Sequence, residues 1–247
     1  MREGLESNSN IYKPPLIFLI NPITTTGQGA VGGTMDKEKV KKALEELNKE
    51  KTRKFKQKFD LIIVLKHIDI KKEPIDFFSV LPHPKGKKTS VCALVGPELE
   101  EKAKAVCDEV IRDKGFDAYK DDPKKAKSLG RKHDYFIAQA NLMAQVATVF
   151  GKILGQKGKM PNPKAGCVLP PTGNIQAVVN NLQKTVRVSA KTMPVIQVIV
   201  GSEEMKEDDV IENILAVYNA LVKILPNEDQ NVKEVLLKKT MSKPVKV

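Results

Sequence analysis

The chain has 247 residues, 41% hydrophobic and 29% charged, a balance that excludes wholesale disorder and suits one large or two ordinary domains. Its 42 lysines and arginines outweigh 30 acids, for a net charge of +12 and a pI of about 9.4, so the expected partner is acidic: nucleic acid first, an anionic membrane second. Aromatic residues make up only 5% and Trp is absent, which argues against a surface built mainly of stacking platforms.

Residues 1–34 carry Arg2 and Lys13 against Glu3 and Glu6, so the whole net charge lies in 35–247. The apolar run Leu16 to Ile20 is far short of the ~20 residues a membrane span needs. Pro14, Pro15 and Pro22 flank it, against a signal-peptide layout, and a cytoplasmic location is expected. Gly27, Gly29 and Gly32 fit G-x-G-x-x-G, but residues 21–26 separate them from the apolar run, and no acid ends a following strand at the usual distance. A flexible glycine-rich connector is the better reading. Met35 opens an amphipathic helix over 35–50, with Val40, Ala43, Leu44 and Leu47 on one face. Met35 is read as the natural start, and 1–34 as a disordered extension.

Beyond the helix the pattern predicts strands at 59–68 and 75–81, then a hinge over 82–87 with two prolines and a glycine. From 89 onward strands and helices alternate. A strand at 90–95 precedes a helix at 98–114, with Ala103, Val106, Cys107, Val110 and Ile111 inward. A strand at 116–119, a helix at 124–131, a strand at 135–138 and a helix at 141–150 follow. A Gly/Pro/Lys-rich loop, 151–172, leads to a helix at 174–184, strands at 186–189 and 195–200, a long helix at 207–225 and a strand at 232–239. This order predicts an α/β fold: an α+β terminal domain, made of 35–81 and 185–247, that receives an inserted three-layer, Rossmann-like α/β domain, 82–184. The two crossings, near Leu81 and Lys184, make the hinge.

No catalytic constellation emerges, and no serine has a nucleophile-elbow context. Cys92, Cys107 and Cys167, like His67, His83 and His133, lack ligand spacing; no disulfide framework, metal or cofactor is expected. Glu203, Glu204, Glu207, Asp208, Asp209 and Glu212 crowd the start of the long helix, where its dipole favours them. The loop around Lys157, Lys159 and Lys164 fails as a phosphate loop, because Ile153 replaces the first glycine and Met160 the metal-holding hydroxyl. It reads either as an ordinary surface loop or as a second basic contact for an RNA backbone. The most informative pieces are the basic approach to the first strand, Lys54-Phe55-Lys56-Gln57-Lys58, and the tail Lys238-Lys239-Thr240-Met241-Ser242-Lys243. If they lie side by side they are expected to form an RNA-docking face, with cations for phosphate and with Phe55 and Met241 for sugar and base; the alternative is two ordinary strands with solvated lysines.

Arg53-Lys54-Phe55, the hinge Leu81-Pro82-His83, the loop Gly158-Lys159-Met160-Pro161-Asn162-Pro163-Lys164 and the pair Thr240-Met241 occur in this order. Over 35–247 the chain thereby resembles the universal large-ribosomal-subunit protein L-one family, in its archaeal form. The resemblance implies a non-enzymatic protein of the mobile side stalk that binds large-subunit rRNA through the terminal domain. It further implies partnership with other ribosomal components, assistance in releasing deacylated tRNA from the exit site, and repression of translation of its own mRNA. It places Lys54, Phe55 and Gln57 on the RNA face and Thr240, Met241 and Ser242 on a second contact strip; the neighbouring cations Arg53, Lys238 and Lys243 are expected to join them. The family usually has glycine after Thr-Met; with Ser242 here, Ser242→Gly is expected to strengthen RNA binding. Two rivals stand beside this reading: a nucleotide-dependent enzyme using the parallel sheet, and a chaperone of single-stranded RNA.

Overall fold

Val40, Ala43, Leu44 and Leu47 recur at helical spacing, and in the computed structural model all four are buried on one side of helix α1, Lys37–Lys49. The structure describes residues 35–49, 53–70 and 72–247; the reading of 1–34, with its glycine pattern, falls outside these. Helix α1 packs on one face of a four-stranded antiparallel sheet whose order is β10 (Val245–Lys246), β9 (Val232–Lys239), β1 (Lys58–Leu65) and β8 (Val195–Ser202). Along β1, burial alternates with a period of two: Phe59, Leu61, Ile63 and Leu65 face the core, and Lys58, Asp60, Ile62 and Val64 face outward. Helix α7, Glu207–Val222, completes the core with Val210, Ile214, Val217 and Leu221, and Glu207, Asp208 and Asp209 occupy its first turn.

Strands β2, Ile75–Val80, and β7, Thr185–Ala190, pair antiparallel and join the same core. The Arg187 guanidinium grips Asp76 with bonds of 2.7 and 2.6 Å, and this contact holds the Asp76 carboxyl down at about 2. At the end of this ribbon the Leu81 N–H donates to the Lys184 carbonyl at 2.9 Å, so the two chain crossings lie against one another. The His83 N–H donates to Asn213 Oδ1 at 3.0 Å, and the His83 ring lies 2.8 Å from Glu212, which ties the crossing to α7.

The middle of the chain builds a parallel sheet in the order β4 (Glu109–Arg112), β3 (Val91–Val95), β5 (Tyr135–Gln139) and β6 (Val168–Leu169). Strand β3 is buried on both faces. Val91, Ala93 and Val95 meet α2 (Glu100–Val106) and α6 (Ile175–Lys184), while Cys92 and Leu94 meet α3 (Phe116–Asp121), α4 (Pro123–Lys132) and α5 (Met143–Gln156). The α/β class and the three layers are as expected.

Three local expectations are corrected. The helix expected over 98–114 stops at Val106, and 109–112 is a strand paired with β3. Asp108 decides this: its carboxylate accepts from the Val91 N–H and the Lys88 ammonium, both at 3.0 Å, and draws the chain alongside β3. The β-branched pair Val110-Ile111 suits a strand, and its helical spacing from Val106 is coincidental. The strand expected at 116–119 is helix α3. Phe116 and Tyr119 lie three apart on one helix face and both pack on Phe150, with ring centroids 5.6 and 5.4 Å away. Finally, α5 continues to Gln156 through Gly151 and Gly155. Burial of Phe150 and Leu154 outweighs the glycine penalty of roughly 1 kcal/mol each.

Candidate nucleic-acid interface

Antiparallel pairing brings three distant segments to one end of the first sheet. Lys58 opposes Ser202 across β1 and β8, and Phe59 opposes Lys239 across β1 and β9. Residues 53–57, 203–205 and 240–243 therefore meet there. Thr240 extends the ladder: its N–H donates to the Lys58 carbonyl, and its hydroxyl accepts from the Lys58 N–H, both at 3.1 Å. Phe55 is 50% exposed and Met241 60% exposed, so two large apolar side chains stand in solvent beside the exposed Arg53, Lys54 and Lys243. Lys238 is half-buried on the outer face of β9, near Asp60 and Ile62.

Gln57, expected to touch RNA, is instead buried and organises this edge. Its N–H and side-chain amide donate to the Glu203 carboxylate at 3.0 and 3.3 Å, and its Oε1 accepts from the Met241 N–H at 3.1 Å. Lys239, on the inward parity of β9, is buried, with its ammonium 2.9 Å from Glu203 and 5.6 Å above the Phe59 ring. Burial alone would raise the Glu203 carboxyl; the Lys239 and Gln57 bonds outweigh it and hold the group below its ordinary range.

Glu203 is not legible from the sequence. Six neighbouring acids suggest a single helix-dipole explanation, yet Glu203 and Glu204 precede α7, and Glu204 pairs with Lys56. Only knowledge that β1 runs beside β8 places Glu203 against Gln57.

Ser242 also differs from expectation. It does not have the positive φ that would call for glycine. Its hydroxyl accepts from the Lys239 N–H at 2.7 Å and closes the turn that carries Met241. Ser242→Gly is therefore expected to weaken RNA binding severalfold, through loss of one bond worth roughly 1 kcal/mol. A titration showing tighter binding would instead favour the glycine of the family pattern.

The second basic loop is only partly free. Lys157 donates to the Lys127 carbonyl at 3.2 Å, Lys159 to the His133 carbonyl at 2.6 Å, and the Gly158 carbonyl accepts from Arg187 at 2.5 Å. Lys164 is exposed, with its N–H capped by Asn162.

In a parallel sheet the usual place for a nucleotide is where neighbouring strands such as β3 and β5 end. Here Gln139 Oε1 accepts from the Gly96 N–H at 2.9 Å, and its amide donates to Glu98 at 3.3 Å. A carboxylate in that position repels a phosphate. Among the described residues no group of three or more His, Cys, Asp and Glu side chains could hold a metal ion, and no helix is long and apolar enough to cross a membrane.

The sequence profile of the ribosomal protein L1p/L10e family matches residues 47–243. The chain belongs to this family. Among its relatives, the large ribosomal subunit protein uL1 of Nanoarchaeum equitans is 39% identical over 214 residues, which cover 85% of this chain and 98% of the relative. The uL1 proteins of Pyrococcus abyssi and Methanocaldococcus jannaschii are each 35% identical, over 217 and 216 residues, covering 86% of this chain and 96% of each relative. The resemblance drawn from the basic motifs and its archaeal character thus hold. As an L1-family chain it is a ribosomal protein and not an enzyme.

Proposed function

We propose that this chain is a structural component of the large ribosomal subunit that binds large-subunit rRNA at the mobile side stalk. The observation that carries the reading is the end of the first sheet. There Phe55 and Met241 stand exposed among lysines on a backbone held by Gln57, Glu203 and Lys239. Pre-ordered apolar and cationic groups suit folded RNA, whose sugar faces and backbone present shape more than base edges. In this reading Arg53, Lys54, Lys238 and Lys243 meet phosphates, Phe55 and Met241 meet sugar and base, and Thr240 and Ser242 shape the strip. Gln57 acts from beneath.

Residues 35–81 and 185–247 form the RNA-binding domain, and 82–184 is inserted at the paired crossings. The separate hydrophobic clusters of these segments support the division. Lys164 supplies the second basic contact, with the remaining donors of Lys157 and Lys159. On the ribosome the stalk assists release of deacylated tRNA from the exit site, and the same edge binds a like fold in the chain's own mRNA to repress its translation.

The test is binding of the full chain to a folded stalk rRNA fragment and to an equally long scrambled RNA, over a salt series. A preference for the folded fragment that persists at high salt is expected. Equal binding that collapses with salt would leave only a basic protein attracted to polyanions.

A further inference from the structure

The hinge loop passes close to the candidate interface at one glycine. Gly86 has φ +74°, and a Cβ on it would lie 2.5 Å from the Cβ of Ser202, the cross-strand partner of Lys58. This approach sets Lys85 and Lys87 beside Lys58, and all three line a cleft of about 400 Å³ between the outer face of β1 and β8 and the parallel-sheet region. Lys85 is half-buried; its ammonium donates to the Thr185 carbonyl at 2.9 Å and stands 5.6 Å over the Tyr135 ring. Lys87 is 3.5 Å from Asp134, whose same oxygen also accepts from the Ser90 N–H at 3.3 Å. Lys58 makes no ion pair among the described residues. Burial and the charges of Lys87 and Lys58 lower the Lys85 pKa, and Asp134 opposes them. Lys85 and Lys87 thus share Asp134 and only Asp60, along β1, acts on Lys58 among the described residues, so the partly desolvated cleft keeps an excess of positive charge, and an anion there would relieve the repulsion.

We propose that Lys58, Lys85 and Lys87 form a site for backbone phosphates of the bound RNA, carrying the interface from the Phe55–Met241 edge into the cleft. The proposal rests on the RNA-binding reading. A phosphate suits the site because three ammonium groups offer donors without base-edge geometry, so the contact adds affinity and salt dependence but no sequence preference.

The test is the full-length double variant Lys58→Gln/Lys87→Gln, which leaves half-buried Lys85 in place, against wild type and the charge-keeping Lys58→Arg/Lys87→Arg. Each is titrated with the folded stalk fragment and the scrambled RNA over a salt series, and melted without RNA. The Gln variant is expected to bind both RNAs about tenfold or more weakly, with a salt slope shallower by roughly one for each phosphate it no longer neutralises. The Arg variant keeps the wild-type slope, and the RNA-free melting temperature of the Gln variant is unchanged or raised. An unchanged slope in the Gln variant, or weaker binding that merely follows a lower melting temperature, overturns the proposal. Failure of the RNA reading shows separately, as absence of folded-RNA preference in the wild type.

Discussion

Glu203→Ala is expected to lower the unfolding free energy by roughly 3 kcal/mol, because it strands the buried Lys239 ammonium without its carboxylate and removes an acceptor from Gln57. Glu203 is itself only partly buried, which keeps the figure below that of a fully enclosed pair. The pH dependence follows from the lowered Glu203 pKa. A carboxyl whose folded pKa lies below its unfolded value stabilises the fold above the unfolded value, about 4.5. That stabilisation is lost as pH falls through the folded pKa. The gap between wild type and variant is therefore widest near neutrality and closes in acid. Denaturant unfolding at pH 7 and at successively lower pH measures it; a gap of under about 0.5 kcal/mol at pH 7, a magnitude typical of surface changes, would remove Glu203 from the organising role. RNA affinity should fall as well, and less than additively with Met241→Ala, since Glu203 reaches Met241 through Gln57.

Phe55→Ala is expected to weaken binding to the folded stalk fragment by roughly tenfold to a hundredfold, the range expected for removing one base or sugar stacking partner worth about 1–3 kcal/mol. The melting temperature of the free protein should barely move, because half of Phe55 already lies in solvent and it belongs to none of the hydrophobic clusters. Circular dichroism and an RNA titration on the same sample separate the two effects. A fold that melts early would make Phe55 a packing residue; an intact fold with wild-type affinity would move the RNA contact away from this edge.

Much of this molecule is legible along the chain. The period-two run of β1 and the 3.6-period faces of α1 and α7 each bury one face, so sequence spacing alone reveals them. The exposed Lys54-Phe55 and Thr240-Met241 strips are legible too, because a large apolar residue among lysines at a strand end has no core partner nearby in sequence. The misread stretch between Val106 and Tyr119 shows the limit. There short apolar runs satisfy either period, and a carboxylate bonded to a strand seventeen residues earlier makes the choice.

The sequence by itself determined the α/β class, the basic charge balance and the exposure of the Lys54-Phe55 and Thr240-Met241 strips, since composition and local periodicity are properties of neighbouring residues. Tertiary structure alone decided that Gln57 faces inward, that Glu203 serves Lys239 rather than a helix dipole, that Ser242 closes a turn, and that Gly86 brings Lys85 and Lys87 to Lys58. Each of these depends on strand pairing between segments more than a hundred residues apart or on the closure of a particular turn, and no local pattern encodes such a register.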